Sequence, residues 1–355
     1  MFHSLIILLG QQKSPTGLPH GLAPLIDWPS MILLGVTLLV LGAAYLIGQY
    51  LHRQPDTVVN SAIVQALNNR VRAWWFMYAI MGLTFAAGNS RIPAVVFFFF
   101  ISFWALREFI TLTPTRIGDH RALFWVFFVF APLQYFLLAL GLRSYKIAGL
   151  TFDVNLLFAN LIPVYASLFI PARIALAGDH KRFLERVAKI QCGLLICVFA
   201  LSHAPALLDL DLHSNTGRQW NGGSAGLLLF FILVVQLGDV FQFVWSQLWG
   251  RRVIAEGINA SKTWEGFFGG TISATLLGAG LWWVTPFSPL QAAGMSMMLS
   301  IMGFAGSFTM SAIKRDRGVS DYGTLVEGHV GVLDRFDSIC FAAPVFYHVT
   351  RFLFT

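Results

Sequence analysis

Charge is what this sequence has least of. Only 12% of its 355 residues are Asp, Glu, Lys or Arg, where a soluble domain carries about 25%. Cysteine is scarce as well. Cys192, Cys197 and Cys340 are an odd three, all in apolar segments and none in a C-x-x-C pair, so they read as buried thiols without a disulfide or a metal site. Internal repeats, low-complexity tracts and a Pro/Gly linker long enough to divide the chain are also missing. In their place stand 56% hydrophobic residues, with 33 Phe and 11 Trp, and a mean hydropathy of +0.68. A water-soluble fold of this length could not hide so much apolar surface, which excludes a soluble enzyme, a disordered protein and a nucleic-acid-binding domain. The apolar runs are continuous and of helical length, without the short alternating strands of a porin-type barrel. The sequence therefore predicts an all-α polytopic membrane protein.

The charges that exist punctuate the chain into ten expected spans: 31–51, 73–88, 92–107, 121–141, 152–170, 187–204, 223–249, 264–284, 290–312 and 332–354. Each approaches the roughly 20 residues needed to cross a bilayer; the second and third are short and separated only by Gly88 to Pro93, as in a tight hairpin. Leu5 to Leu9 are apolar but too few to cross. With no basic residue before them and no small-residue cleavage site after, they fit an interfacial helix better than a signal peptide. The expected organisation is an N-terminal interfacial segment (1–30), N-terminal transmembrane helices (31–110) and a transmembrane catalytic region (111–355).

Lysine and arginine give the orientation. Five alternate loops and their helix ends hold 18 of the 24 basic residues, and the opposite side holds 6. By the positive-inside rule the rich side faces the cytoplasm and both termini lie outside. The net charge of +7 and pI near 9.5 then reflect topology rather than nucleic acid.

Three places could carry chemistry. Asp239 lies deep in the apolar run LLLFFILVVQLGDVFQFVWSQLWG. An ionised carboxylate at that depth needs a cation, a partner charge or a hydrated cavity, and Gly238, Gln236, Gln242 and Gln247 beside it favour a cavity over a protonated carboxyl bonded between helices. The loop GRRVIAEGINASKTWEG places Arg251, Arg252, Ser261, Lys262 and Thr263 just before a helix start near Trp264. Free N–H groups and cations together suit phosphate; a positive-inside loop with an ordinary capping pattern through Glu265 is the plainer alternative. The most polar stretch runs from Ser311 to Ser338. There Asp316, Asp321, Asp334 and Asp337 alternate with Lys314, Arg315, Arg317 and Arg335, among Gly318, Gly323, Gly328 and Gly331. Asp334 and Asp337 share a helix face. Paired carboxylates suit hard divalent ions and flanking arginines suit phosphate oxygens, so the mixture fits a Mg²⁺-dependent reaction on a nucleotide; a salt-bridged structural loop is the alternative.

The stretch 311–338 resembles the C-terminal signature of phosphatidate cytidylyltransferases, the CDP-diacylglycerol synthases. Ser311, Lys314, Arg315, Asp321, Gly323, His329, Gly331, Asp334, Arg335 and Asp337 match it in register. Lys262, Thr263, Trp264, Glu265 and Gly266 are similar to that family's Ser-Pro-Lys-Lys-Thr-Trp-Glu-Gly segment, and Asp239 falls where the family has an intramembrane Asp. The resemblance covers roughly 225–345. It departs at Ser261 and Ser320, which replace lysines, at Asn259 and Ala260 in place of Ser-Pro, at Glu327, and at Val330 in place of a glycine.

The resemblance implies transfer of a cytidylyl group from CTP to phosphatidate or a related lipid phosphate, at the cytoplasmic face of a bacterial inner membrane. It implies Asp239, Asp334, Asp337 and Asp321 as ligands for Mg²⁺, with room for a second cation. Asp334, Asp239, Lys314, Arg315 and Arg335 become the catalytic set. Lys262, Thr263, Ser261, His329, Arg251 and Arg252 become the substrate-binding set. The partners implied are CTP, a phospholipid and the bilayer, without nucleic acid, and a homodimer is compatible with them. The lost lysines allow a divergent branch acting on another lipid. Another CTP-using lipid enzyme, such as a polyprenol-type kinase, and a cation-coupled transporter are the competing functions.

Overall fold

The computed structural model describes residues 27–52, 74, 75, 78, 82, 90–112, 115–147, 150–213, 223–319 and 331–355. Nine helices run through them: α1 (Trp28–His52), α2 (Ile92–Thr111), α3 (Ile117–Leu140), α4 (Val154–Ala175), α5 (Phe183–Asp209), α6 (Ser224–Trp249), α7 (Trp264–Gly280), α8 (Pro289–Arg317) and α9 (Leu333–Phe354). Six of them, α2 to α6 and α8, are long and apolar enough to cross a membrane. The remaining three, α1, α7 and α9, fill three more expected spans. The expected span 73–88 lies mostly outside the described residues, as does most of the segment 1–30. The chain is an all-α polytopic membrane protein.

Several helices overrun their expected limits by a turn, because a span read from apolar residues stops where the charged ends begin, whereas the helix continues into them. An antiparallel hairpin, β1 (Ser144–Ile147) with β2 (Leu150–Asp153), was not foreseen; Ser144 pairs with Asp153 and Tyr145 with Phe152. Its polar and apolar residues alternate over only four positions per strand, too short a signal to stand out from a charged loop. Asp153 then caps α4, accepting from the N–H groups of Asn155 and Leu156 at 3.0 and 3.2 Å. The middle turns of α3, α4 and α5 are π-helical (Val126–Phe130, Leu161–Ala166 and Leu195–Ala200). Pro163 sits inside one and Pro132 two residues past another. A proline removes an N–H from the ladder, and local widening lets a buried helix re-satisfy the freed groups.

At the centre lies α6. From Ala225 to Gln236 every one of its residues is buried, as expected of a helix that is apolar all round. It packs on α7, α8 and α9, while α2 packs on α3, α5 and α9. Glycine permits the closest approach: a Cβ on Gly270 of α7 would lie 2.6 Å from the Cα and N of Gln242 on α6.

Polar contacts gather at the two ends of the bundle. At one end Arg186 is buried against Asp119, with Nε 2.9 and 3.1 Å from the carboxylate oxygens, and Arg116 meets Asp179 at 3.1 Å. The loop 250–263, the C-terminal end of α8 and the start of α9 lie at this end too. At the other end Asp209 pairs with Arg91 and accepts from the N–H of Leu142, while Arg351 bonds Asn155. Among the described residues, the charged groups in these contacts fall at the two ends that the Lys/Arg alternation separates.

Candidate active site

Four chain segments converge where α6 loses its fully buried character. Asp239 projects from α6 one turn past the last buried stretch, with a side chain 23% exposed. The segment after α6 folds back on itself: Val253 bridges Thr263, the N–H of Ile254 bonds Lys262 O at 3.0 Å, and the N–H of Trp264 bonds Arg252 O at 3.0 Å. Thr263 is the N-cap of α7, accepting from Gly266 N at 3.1 Å and donating to Ser246 Oγ at 3.1 Å. Glu265 accepts from the N–H groups of Arg251 and Arg252, both at 3.1 Å. The capping alternative therefore describes Thr263, whereas Glu265 completes no capping box and instead holds the start of the loop through Arg251 and Arg252; Lys262 immediately precedes the cap.

Lys262 Nζ lies 4.0 Å from Asp239 Oδ1 and 3.5 Å from Gln242 Oε1, and 5.2 Å from the centre of the Phe304 ring. Gln242 is held in turn by Ser300, whose O and Oγ accept from it at 3.3 and 3.2 Å. From α9, Ser338 donates its hydroxyl to Asp239 and sits 3.2 Å from Asp337 Oδ1, which also accepts from Ser338 N at 2.7 Å. One hydroxyl thus joins the carboxylates of two helices. A turn away Lys314, at the end of α8, donates to Asp334 Oδ1 at 2.8 Å.

The remaining expected site residues are spread more widely. Arg315 is exposed and its Nε bonds Ile258 O at 3.1 Å, tying the 253–263 loop to α8. Asn259 strengthens that tie through Ser311 Oγ at 3.2 Å, and Ser261 donates to Asn259 at 2.7 Å. Arg335 is half-buried, and its carbonyl accepts from Gln236 at 3.1 Å. Arg251 and Arg252 are exposed, the latter lining an open cavity with Trp264, Glu265 and Phe268. Asp321, His329 and Ser320 lie outside the described residues.

Sequence reasoning missed two residues, and it read Gln242 as a sign of a cavity without giving it a contact. Ser338 stands four residues beyond Asp334, so helical spacing could have placed it on that carboxylate's face. Glu108, which binds the start of α9 from α2, left no local signal at all.

Asp239 and Asp337 offer hard oxygen donors side by side with a cation at the edge. Among the described residues no group of three or more His, Cys, Asp or Glu is arranged to hold a metal ion. Two carboxylates fit Mg²⁺, which usually keeps several waters and takes further ligands from substrate phosphates.

A cluster of lysines and carboxylates at the end of a transmembrane bundle offers partners for anionic groups and cations, and comparison with known proteins gives the class of the protein. The model of the cytidylyltransferase family matches residues 68–353; the chain belongs to that family and is a membrane nucleotidyltransferase. It is similar to an uncharacterized protein of Escherichia coli (strain K12), YnbB, at 37% identity over 286 residues, covering 80% of this chain and 87% of the relative. It is also similar to phosphatidate cytidylyltransferase 5, chloroplastic, of Arabidopsis thaliana, at 32% over 170 residues, 46% of this chain and 40% of the relative. A phosphatidate cytidylyltransferase of Aquifex aeolicus (strain VF5) is 34% identical over 120 residues, 34% of this chain and 45% of the relative. The chain thus spans less than half the length of each of these two phosphatidate cytidylyltransferases.

Proposed function

We propose that the protein transfers the cytidylyl group of CTP to phosphatidate or a closely related lipid phosphate, releasing pyrophosphate, at the cytoplasmic face of a bacterial inner membrane. The observation that carries this reading is the meeting of Lys262, Asp239, Ser338 and Asp337, with Lys314 and Asp334 a turn away, in a member of the cytidylyltransferase family. Relatives named phosphatidate cytidylyltransferase support the lipid acceptor.

In the proposed reaction an oxygen of the lipid phosphate attacks the α-phosphorus of CTP, and the bond to the β-phosphate oxygen breaks as pyrophosphate leaves. A phosphate monoester is already anionic, so the protein need not supply a strong base; positioning and charge neutralisation are the main tasks. Asp239 and Asp337 would hold Mg²⁺, which supplies charge neutralisation and orientation of phosphate oxygens when bound. Lys262, beside them and partly shielded from water, meets a phosphate oxygen by replacing its 4.0 Å contact with Asp239. Lys314 supplies a second ammonium, released from Asp334 or shared with it, and Arg335 stands on the same helix as a third cation. Arg251 and Arg252 at the rim draw the anionic headgroup in, so the acyl chains stay in the bilayer.

Ser261 supports a second reading. It is exposed and neutral where the resembling signature carries a lysine, which favours a less charged lipid acceptor. Radiolabelled CTP with a panel of lipid phosphates tests both. Label entering phosphatidate is the expected result; label entering only another lipid phosphate would transfer the function to that lipid, and no label in any lipid would overturn both. Single cysteines at Lys181 and Lys146 test the orientation: an impermeant thiol reagent applied outside the cell should mark only the second.

A further inference from the structure

The catalytic helix α9 begins without a cap of its own. Val332, which precedes its first residue, makes no side-chain capping bond, and the first N–H groups of a helix have no partner within it. The carboxylate of Glu108 takes them instead, from 224 residues earlier in the chain. Its Oε1 accepts from Val332 N at 3.0 Å and its Oε2 from Leu333 N at 2.8 Å. Trp104, one turn earlier on α2, donates its indole N–H to Oε1 at 3.1 Å. Glu108 is only 6% exposed.

We propose that Glu108 is a positioning residue for nucleotidyl transfer: its carboxylate, bonded to the N–H groups of Val332 and Leu333, sets the axial and rotational position of the helix bearing Asp334, Asp337 and Ser338. This rests on the nucleotidyl-transfer reading above. Leu333 and Asp337 are one turn apart, about 6 Å along the axis, so a shift at the anchor passes directly to the carboxylates. Two bonds from one planar group to successive N–H groups fix direction as well as distance, and a negative charge is favoured at a helix N-terminus. Asp337 meets Asp239, and Asp334 meets Lys314, only while this register holds. Glu108 touches neither of these pairs and acts through the backbone that carries Asp334 and Asp337.

The test compares Glu108→Ala and Glu108→Gln with the wild type, each purified in detergent. Amide hydrogen exchange over 332–338 should rise at least tenfold in Glu108→Ala and less in Glu108→Gln, which keeps one acceptor. Turnover with CTP, normalised to folded protein, should fall at least tenfold and the Mg²⁺ concentration for half-maximal rate should rise severalfold, again least in Glu108→Gln. If Glu108→Ala does not fold, Glu108→Gln carries both readouts. Wild-type exchange over 332–338, or a lowered melting temperature with turnover and Mg²⁺ dependence unchanged, would overturn the proposal and make Glu108 an ordinary buried acid. A wild type that transfers no label from CTP would overturn the nucleotidyl-transfer reading, while the exchange measurement would still decide whether Glu108 holds α9.

Discussion

Lys262 stands 4.0 Å from Asp239, the ammonium on a loop and the carboxylate inside a transmembrane helix, brought together because Thr263 caps α7 against Ser246 of α6. The pair is loose, so the ammonium is available to a phosphate oxygen. Lys262→Met should raise the KM for CTP and lower kcat/KM roughly tenfold to a hundredfold, the equivalent of one charge-assisted hydrogen bond of about 1.5–3 kcal/mol. Steady-state kinetics with varied CTP check this; wild-type kinetics would remove Lys262 from the phosphate site.

The Asp334–Lys314 pair is tight, and the two residues should act as a unit. Asp334→Asn and Lys314→Met are each expected to reduce turnover by orders of magnitude while the protein stays folded. The double variant should be little worse than either single one, since contacting residues couple by about 0.5–3 kcal/mol. Fully additive losses would mean that the two residues contribute through separate contacts. Asp239→Asn should be as damaging as Asp334→Asn, and activity close to wild type at saturating Mg²⁺ would make Asp239 a structural carboxylate.

Ser338 gives a test of the cation that does not depend on activity. Its hydroxyl joins Asp239 to Asp337, and Ser338→Ala removes that link, at a cost of about 1.5–3 kcal/mol for a hydrogen bond to a charged group. The melting temperature of Ser338→Ala should fall below wild type in EDTA and recover most of the difference in saturating Mg²⁺, because a bound cation would occupy the same oxygen lone pairs. An equal gap under both conditions would argue that these carboxylates hold no Mg²⁺.

Acid should loosen the charged end of the bundle at Asp179. Its hydrogen bonds from Arg116, and next from the Lys181 N–H, hold this carboxyl below the usual carboxylate range. A depressed folded-state value means that its stabilisation is complete above about pH 4, the ordinary Asp range, and fades as pH falls through the folded value. Asp179→Asn should therefore lose stability at neutral pH and show a flatter decline of melting temperature below pH 5. Parallel melting curves for variant and wild type across that range would contradict the linkage.

Composition alone determined that this chain lives in a membrane as helices, because no water-soluble packing could cover its Phe- and Leu-rich runs. Charge punctuation located the spans closely enough that α2, α6 and α8 begin within a residue or so of where the apolar runs do. Helical spacing put Asp334 and Asp337 on one face, and Asp239 stood out as an acid deep in an apolar run. Only the tertiary structure decided which of these groups meet. It set Asp239 beside Asp337 and Lys262, gave Asp334 to Lys314, and turned Arg315 to Ile258. Contacts across 99 residues, as between Ser338 and Asp239, or 224, as between Val332 and Glu108, depend on how helices cross. Those crossings are set by side-chain packing and by close approaches such as that of Gly270 to Gln242, and a pattern read along one helix carries no record of its neighbour's position.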